Sequence, residues 1–254
     1  MKTCLIGHTG FVGSTLLTQN QFDDLYNSRN IDQIKGKFYD MVVCAGAPAV
    51  KWKANQEPEE DLENINYLIN NLQEINTKLF ILISTVDVYK HPVMVDEDTV
   101  IVPEDTDPYG RHRYYLENFV SKTFDNYLIV RLPGLFGDGL KKNFIYDLIH
   151  NNCLHLTHGD SVFQFYPLHR LWSDIQTAVD HSLREVNFST EPVQAKEVAR
   201  HCFNLNFDNR TEKAPVHYNM LSKHHRIFTS SGSYMLSKED VLQQISDFAR
   251  RQTF

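Results

Sequence analysis

Three glycines at three-residue spacing, Gly7, Gly10 and Gly13, follow directly on the short apolar run Thr3-Cys4-Leu5-Ile6. A tight strand-to-helix turn needs a residue without Cβ. The backbone of such a turn comes close to a bound phosphate, and the helix behind it aims unpaired N–H groups and its positive dipole end at the anion. Residues 7–13 therefore suit the pyrophosphate of a dinucleotide, with Gly7, Thr9, Gly10, Phe11, Val12 and Gly13 as its contacts; a purely structural turn is the alternative. The Gly-x-x-Gly-x-x-Gly spacing differs from the Gly-x-Gly-x-x-Gly of ordinary dehydrogenases. Ser14-Thr15-Leu16-Leu17 continues the segment as a helix.

Such a loop needs a sheet to hold it. Residues 41–44, 79–83 and 127–130 are continuous apolar runs rich in branched side chains, which read as strands buried on both faces. Helical patterns alternate with them. Residues 57–75 open with Pro58 and acidic residues and then place Leu62, Ile65, Ile69, Leu72 and Ile75 on one face, and residues 109–124 carry Tyr115, Leu116, Phe119 and Val120. The expected fold class is α/β, a Rossmann-like doubly wound parallel sheet with a small C-terminal substrate-binding cap. Residues 1–140 are expected to form the dinucleotide-binding domain. Residues 141–254 are expected to be mostly cap, with some segments returning to the sheet. In that part the pattern predicts strands at 154–156 and 162–168 and helices at 143–149, 171–183, 194–203 and 237–251, the last capped by Ser237.

Composition narrows the function classes. The 254 residues carry a net charge of −7 with scattered lysines and arginines, which argues against a nucleic-acid surface. No apolar run is long enough to span a bilayer and no signal-like segment precedes the first strand, so a cytoplasmic protein is expected. The four cysteines are far apart in sequence, and Cys4 and Cys44 fall in strands, as reduced structural thiols would.

A second constellation stands further along. Ile83-Ser84-Thr85-Val86-Asp87-Val88-Tyr89 ends a buried strand, and Pro108-Tyr109-Gly110-Arg111-His112-Arg113 opens a helix some twenty residues later. With the glycine loop, these ordered motifs resemble the extended short-chain dehydrogenase/reductase family of NAD(P)-dependent nucleotide-sugar epimerases, dehydratases and reductases. The likeness covers the first 140 residues well and the rest loosely. It implies that Thr85 bonds the reacting oxygen and that Tyr109 transfers the proton. Cys44, Ala45 and Gly46 would turn against the cofactor, and Pro133 would lie beside the nicotinamide. The family has a lysine four residues after the tyrosine, whose charge lowers the phenol pKa and whose ammonium binds the nicotinamide ribose. Here Arg113 stands in its place, and a broad planar fork replaces a compact charge. Two functions follow: an enzyme acting on a sugar hydroxyl or carbonyl through Thr85, Tyr109 and Arg113, or an NADP(H)-binding regulatory protein with weak or lost catalysis.

Cofactor choice is read after the second strand, where NAD binders place a carboxylate and NADP binders an arginine. This chain has Asn27, Ser28 and Arg29 there, which favours NADP(H) over NAD(H); Asn27 or Ser28 can equally cap a short helix at 31–34. Thr85, Asp87, Asn143 and Gln164 are the expected contacts of a small-molecule substrate, a nucleotide sugar by the same resemblance, which also implies pairing of two copies through helices of the sheet. His150, Cys153, His155 and His158 are close in sequence, but a helix end, a turn and a strand would aim them apart, so no metal site is expected. Trp52, between Lys51 and Lys53, reads as a lid or as a surface anchor.

Overall fold

The computed structural model describes residues 1–229 and 232–252. Six strands form the central parallel sheet: β1 (Thr3–Ile6), β2 (Asp24–Tyr26), β3 (Met41–Cys44), β4 (Phe80–Thr85), β5 (Tyr127–Leu132) and β6 (Glu185–Asn187), in the order β6-β5-β4-β3-β1-β2. From β1 the chain passes to β2 on one side and next to β3 on the other. Ile6 pairs with Cys44 across β1 and β3 and with Tyr26 across β1 and β2. The reversal makes a crevice at the carboxyl end of β1, where ligands of open α/β sheets bind.

Eight helices accompany the sheet among the described residues: α1 (Phe11–Gln19), α2 (Lys51–Gln56), α3 (Pro58–Leu72), α4 (Pro108–Thr123), α5 (Phe144–His150), α6 (Leu171–Asp180), α7 (Ala195–Phe203) and α8 (Lys238–Gln252). Strand residues alternate between faces. Cys4, Ile6, Val42, Cys44, Phe80 and Leu82 pack with Ile65, Leu68, Ile69 and Leu72 of α3 and with Leu116 and Val120 of α4. Their neighbours Leu5, Val43 and Ile81 are also buried, so both faces of the sheet are covered. No helix among the described residues is long and apolar enough to cross a membrane.

The chain forms two compact units that alternate along the sequence. The first comprises Met1–Lys90, Val100–Arg131 and Leu171–Val186; the second comprises His91–Thr99, Leu132–Arg170 and the chain from Asn187 onward. In the second, α5, α7 and α8 share a core that includes Phe144, Val198, Val241, Ile245 and Phe248. Ser237 starts α8 as expected, its Oγ accepting from the Asp240 amide at 3.1 Å and donating to the Asp240 carboxylate at 2.8 Å.

One expectation about elements fails for a local reason, and one short helix stands where no element was expected. Residues 154–156 form a 3-10 turn rather than a strand, because Asn151 (φ 48°) and Cys153 (φ 46°) adopt left-handed conformations just before it and coil the chain. The segment before Pro58 holds a helix of its own, α2, which breaks at Glu57 because a proline cannot continue it.

Candidate active site

The glycine loop is built to a tolerance that excludes side chains. Gly7 has φ 84°, and a Cβ there would lie 2.2 Å from the carbonyl oxygen of Ala45; a Cβ on Gly13 would lie 2.1 Å from the carbonyl oxygen of Gly7. Backbone meets backbone at both points, so nothing can yield. Gly10 donates its N–H to the Gly7 carbonyl at 3.0 Å and precedes α1, whose first amides have no partner within the helix. The cradle and the amides behind it fit the pyrophosphate of a dinucleotide. Cys44 adds only backbone, since its side chain lies in the core and burial pushes the thiol up to about 12. Ala45 and Gly46 form the opposite wall.

A testable contrast follows from these distances. Gly13→Ala is expected to destabilise the protein by about 1–3 kcal/mol, the usual range for overpacking, and to weaken dinucleotide binding. Gly10→Ala, whose Cβ would find its nearest neighbour at 3.4 Å, should be mild. Chemical denaturation and calorimetric titration of both variants decide the matter.

Beyond β2 the turn is held by asparagines. Asn27 Oδ1 accepts from the Arg29 amide at 2.9 Å, Asn30 Oδ1 accepts from the Asn27 amide at 2.8 Å, and the Asn27 amide nitrogen meets His8 Nε2 at 3.1 Å. Neither Asn27 nor Ser28 caps the 3-10 helix Ile31–Ile34, whose N-cap is Asn30. Asn27 instead ties the end of β2 to the glycine loop through His8, while Ser28 and Arg29 remain exposed.

Thr85 ends β4, and its Oγ1 accepts from the Asp87 amide at 3.2 Å, capping the 3-10 turn Val86–Val88. The Asp87 carboxylate bonds Lys51 Nζ at 2.7 Å and lies 3.5 Å from the Thr85 hydroxyl. Gly110, in the first turn of α4, presses on this turn so closely that a Cβ would lie 1.9 Å from the Asp87 carbonyl oxygen. Tyr109, the residue before it, is thereby held next to the Asp87 turn, close enough for the Asp87 charge to act on it. Its N–H donates to Asn55 Oδ1 of α2 at 3.0 Å, while its hydroxyl engages no other group among the described residues. Burial raises its pKa, opposed by the positive charges of Arg113 and Lys51 and reinforced by Asp87 and Asp61.

Arg113 is spent elsewhere. Its guanidinium forms a two-point pair with Asp61 of α3 (2.5 and 2.9 Å), donates to the carbonyls of Pro48 and Tyr109, and stacks 4.0 Å from the centre of the Tyr109 ring. His112 Nδ1 shares the same carboxylate at 2.8 Å. All three side chains are buried, so the arginine supports the tyrosine through its ring face while Asp61 neutralises its charge. Asp61, Asn55 and Lys51 were not singled out from the sequence. Asp61 reads there as part of the acidic first turn of a helix; the usable signal is that a buried arginine requires a carboxylate.

The remaining expected contacts belong to the second unit. Pro133 is buried just after β5. Asn143 has both ends of its amide engaged, accepting from the Tyr146 amide at 3.1 Å as the cap of α5 and donating to the Leu135 carbonyl at 2.7 Å. Gln164 does not fit a substrate contact. It is 2% exposed, and it clamps the Thr190 carbonyl and both polar backbone groups of Met220, so its amide is fully used inside the fold. Among the described residues no three His, Cys, Asp or Glu side chains converge as a metal centre requires. Trp52 is a surface residue of α2.

No protein-family model matches the chain, and no curated protein matches it in sequence. Solved structures match it along almost its whole length. A dTDP-4-dehydrorhamnose reductase from Bacillus anthracis in complex with NADP is 17% identical over 99% of each chain, with a TM-score of 0.75. A UDP-glucose 4-epimerase from Thermotoga maritima with UDP-glucose is 14% identical over 100% of each chain, with a TM-score of 0.73. This chain has their fold. MoeE5, in complex with UDP-glucuronic acid and NAD, matches at 16% identity over 99% of each chain, with a TM-score of 0.74. These neighbours are extended short-chain dehydrogenase/reductase enzymes of nucleotide-sugar chemistry.

Proposed function

We propose that the protein is an NAD(P)-dependent enzyme of the extended short-chain dehydrogenase/reductase type, acting on a carbonyl or hydroxyl of a nucleotide-linked sugar. One observation supports the reading: Gly110 packs against the backbone of Asp87, two residues from Thr85, so that the neighbouring Tyr109, whose hydroxyl has no partner among the described residues, stands next to the turn that Thr85 caps. A nicotinamide cofactor held by the glycine loop would supply or accept the hydride. Thr85 holds the reacting oxygen, and Tyr109 gives it a proton as the carbonyl becomes an alcohol, or takes that proton in the reverse direction. Asp87 orders the Thr85 hydroxyl, and the stacked Arg113 fixes the ring plane. Absorbance of reduced nicotinamide, followed with NADPH and NADH in turn over a panel of nucleotide-linked keto sugars, tests the proposal. Oxidation of cofactor dependent on Tyr109 supports a reductase; substrate conversion without net absorbance change supports an epimerase.

A second reading has its own observation. Because Asp61 neutralises Arg113, a protein that binds the cofactor without turnover is also consistent with the site. Tight cofactor binding with no conversion of any substrate would favour it.

NADP(H) is the preferred cofactor in this proposal, supported by the exposed Arg29 and the lack of a carboxylate directly after β2. Arg29→Ala is expected to weaken NADPH binding about tenfold or more, the worth of a charged hydrogen bond, and to leave NADH binding unchanged. Parallel titrations read both. Pairing of two copies through α3 and α4 belongs to the same proposal, supported by the exposed Tyr67 and Tyr115 on those helices, and sedimentation velocity checks it.

A further inference from the structure

A tyrosine that gives up its proton needs a positive charge able to approach the oxygen as the phenolate develops. Arg113 cannot move to do this. Its fork is fixed by the two oxygens of a buried carboxylate and by two backbone carbonyls, and its contact with Tyr109 is with the ring face.

Another cation stands on α2. Lys51 and Asn55 are four residues apart and share one face of that helix. Asn55 accepts the Tyr109 amide at 3.0 Å, which fixes that face against the start of α4. Lys51 Nζ reaches Asp87 at 2.7 Å, and Gly110, next to Tyr109, rests on the backbone of Asp87. We propose that Lys51 is the positioning cation of the Tyr109 site, working from α2 and partnered by Asp87, while Arg113 serves to orient the ring.

The two ion pairs differ in the way this role requires. The Arg113–Asp61 pair is sealed, with side chains 3% and 4% exposed, whereas the Lys51 side chain is 42% exposed and that of Asp87 18%. An ammonium is a compact charge on a flexible four-carbon stem, and a partly open pair lets it re-aim toward a phenolate at small cost. Among the charges acting on Tyr109, Asp87 raises and Lys51 lowers its proton affinity, alongside Arg113 from α4 and Asp61 from α3.

This inference rests on the reading of Tyr109 as the proton-transferring group, and its test works without turnover. 3-Fluorotyrosine placed at position 109 gives a single fluorine signal that follows ionisation of the phenol. Lys51→Met is expected to move that titration up by about half a pH unit or more, a threefold or greater change in proton affinity, and Asp87→Asn to move it down. The double variant should return near the wild-type position, and Lys51→Arg should restore most of the effect of Lys51→Met. Lys53→Met, on the same helix but paired with Glu57 and Glu60, should leave the titration in place. Structural damage would shift both single variants in the same direction. That result, or an unmoved titration in Lys51→Met, overturns the proposal. Opposite shifts without conversion of any nucleotide-linked keto or hydroxy sugar would uphold Lys51 and remove the proposed function. Tyr109-dependent turnover with an unmoved titration would do the reverse.

Discussion

Asp61→Asn is expected to destabilise the protein by about 3–5 kcal/mol, the cost of leaving a buried charge without its partner. Arg113 would keep its guanidinium inside α3, α4 and the loop at Pro48 with no carboxylate to neutralise it. Its Nε already lacks an acceptor among the described residues. The loss should appear as a lower midpoint in chemical denaturation. Its complement tests the cause: replacing both members together, Asp61→Leu with Arg113→Met, should recover most of the stability, because a buried pair exchanged for apolar groups of similar volume is often neutral or better. Equal loss in the single and double variants would show that α3 and α4 depend on packing here and not on the pair. The double variant also frees the face of Tyr109 from its cation, so it should remain folded while the ring loses its fixed orientation.

The part of the molecule that was legible in the sequence is the part set by local chemistry. Gly7 and Gly13 could be read because backbone contacts admit no other residue, and the buried strands because their apolar runs have no polar interruption. The order of Thr85, Tyr109 and the helix behind it was equally visible. What could not be read is decided by residues far apart in the chain. Asp61 meets Arg113 across 52 positions, Lys51 meets Asp87 across 36, and Gln164 closes on Met220 across 56. No spacing rule links such pairs. Gln164 reads as a substrate contact because Gln164-Phe165-Tyr166 precedes the helix from residue 170 as a substrate-contacting strand does in the family it resembles, and only its backbone partners show the amide in use inside the fold. The turn at 154–156 was misread for a related reason, since alternating leucines suggest a strand until the left-handed residues before them are seen.

Tyr109→Phe is the variant with the largest expected effect on chemistry. It removes one oxygen from a group that engages no other side chain through that oxygen, so the fold and the dinucleotide cradle should be unchanged. Turnover should fall by about 10²–10⁴, the range for loss of a positioned general acid or base, with the cofactor dissociation constant within about twofold of wild type. The pH profile carries the sign of the role. Burial holds the phenol above the usual tyrosine range, so Tyr109 stays protonated through neutral and mildly alkaline pH. For carbonyl reduction the protonated form is the competent one, and kcat/KM should show no alkaline loss from this group below about pH 10. For oxidation of the alcohol the phenolate is required, and the rate should climb about tenfold per pH unit below the same ionisation. The environment of Tyr109 thus predicts opposite pH dependences for the two directions, flat for reduction and rising for oxidation. A wild-type reduction profile that breaks downward near pH 7 would mean that bound cofactor or substrate lowers the phenol far more than Arg113 and Lys51 do. A Tyr109→Phe variant with undiminished turnover would remove the tyrosine from the chemistry altogether.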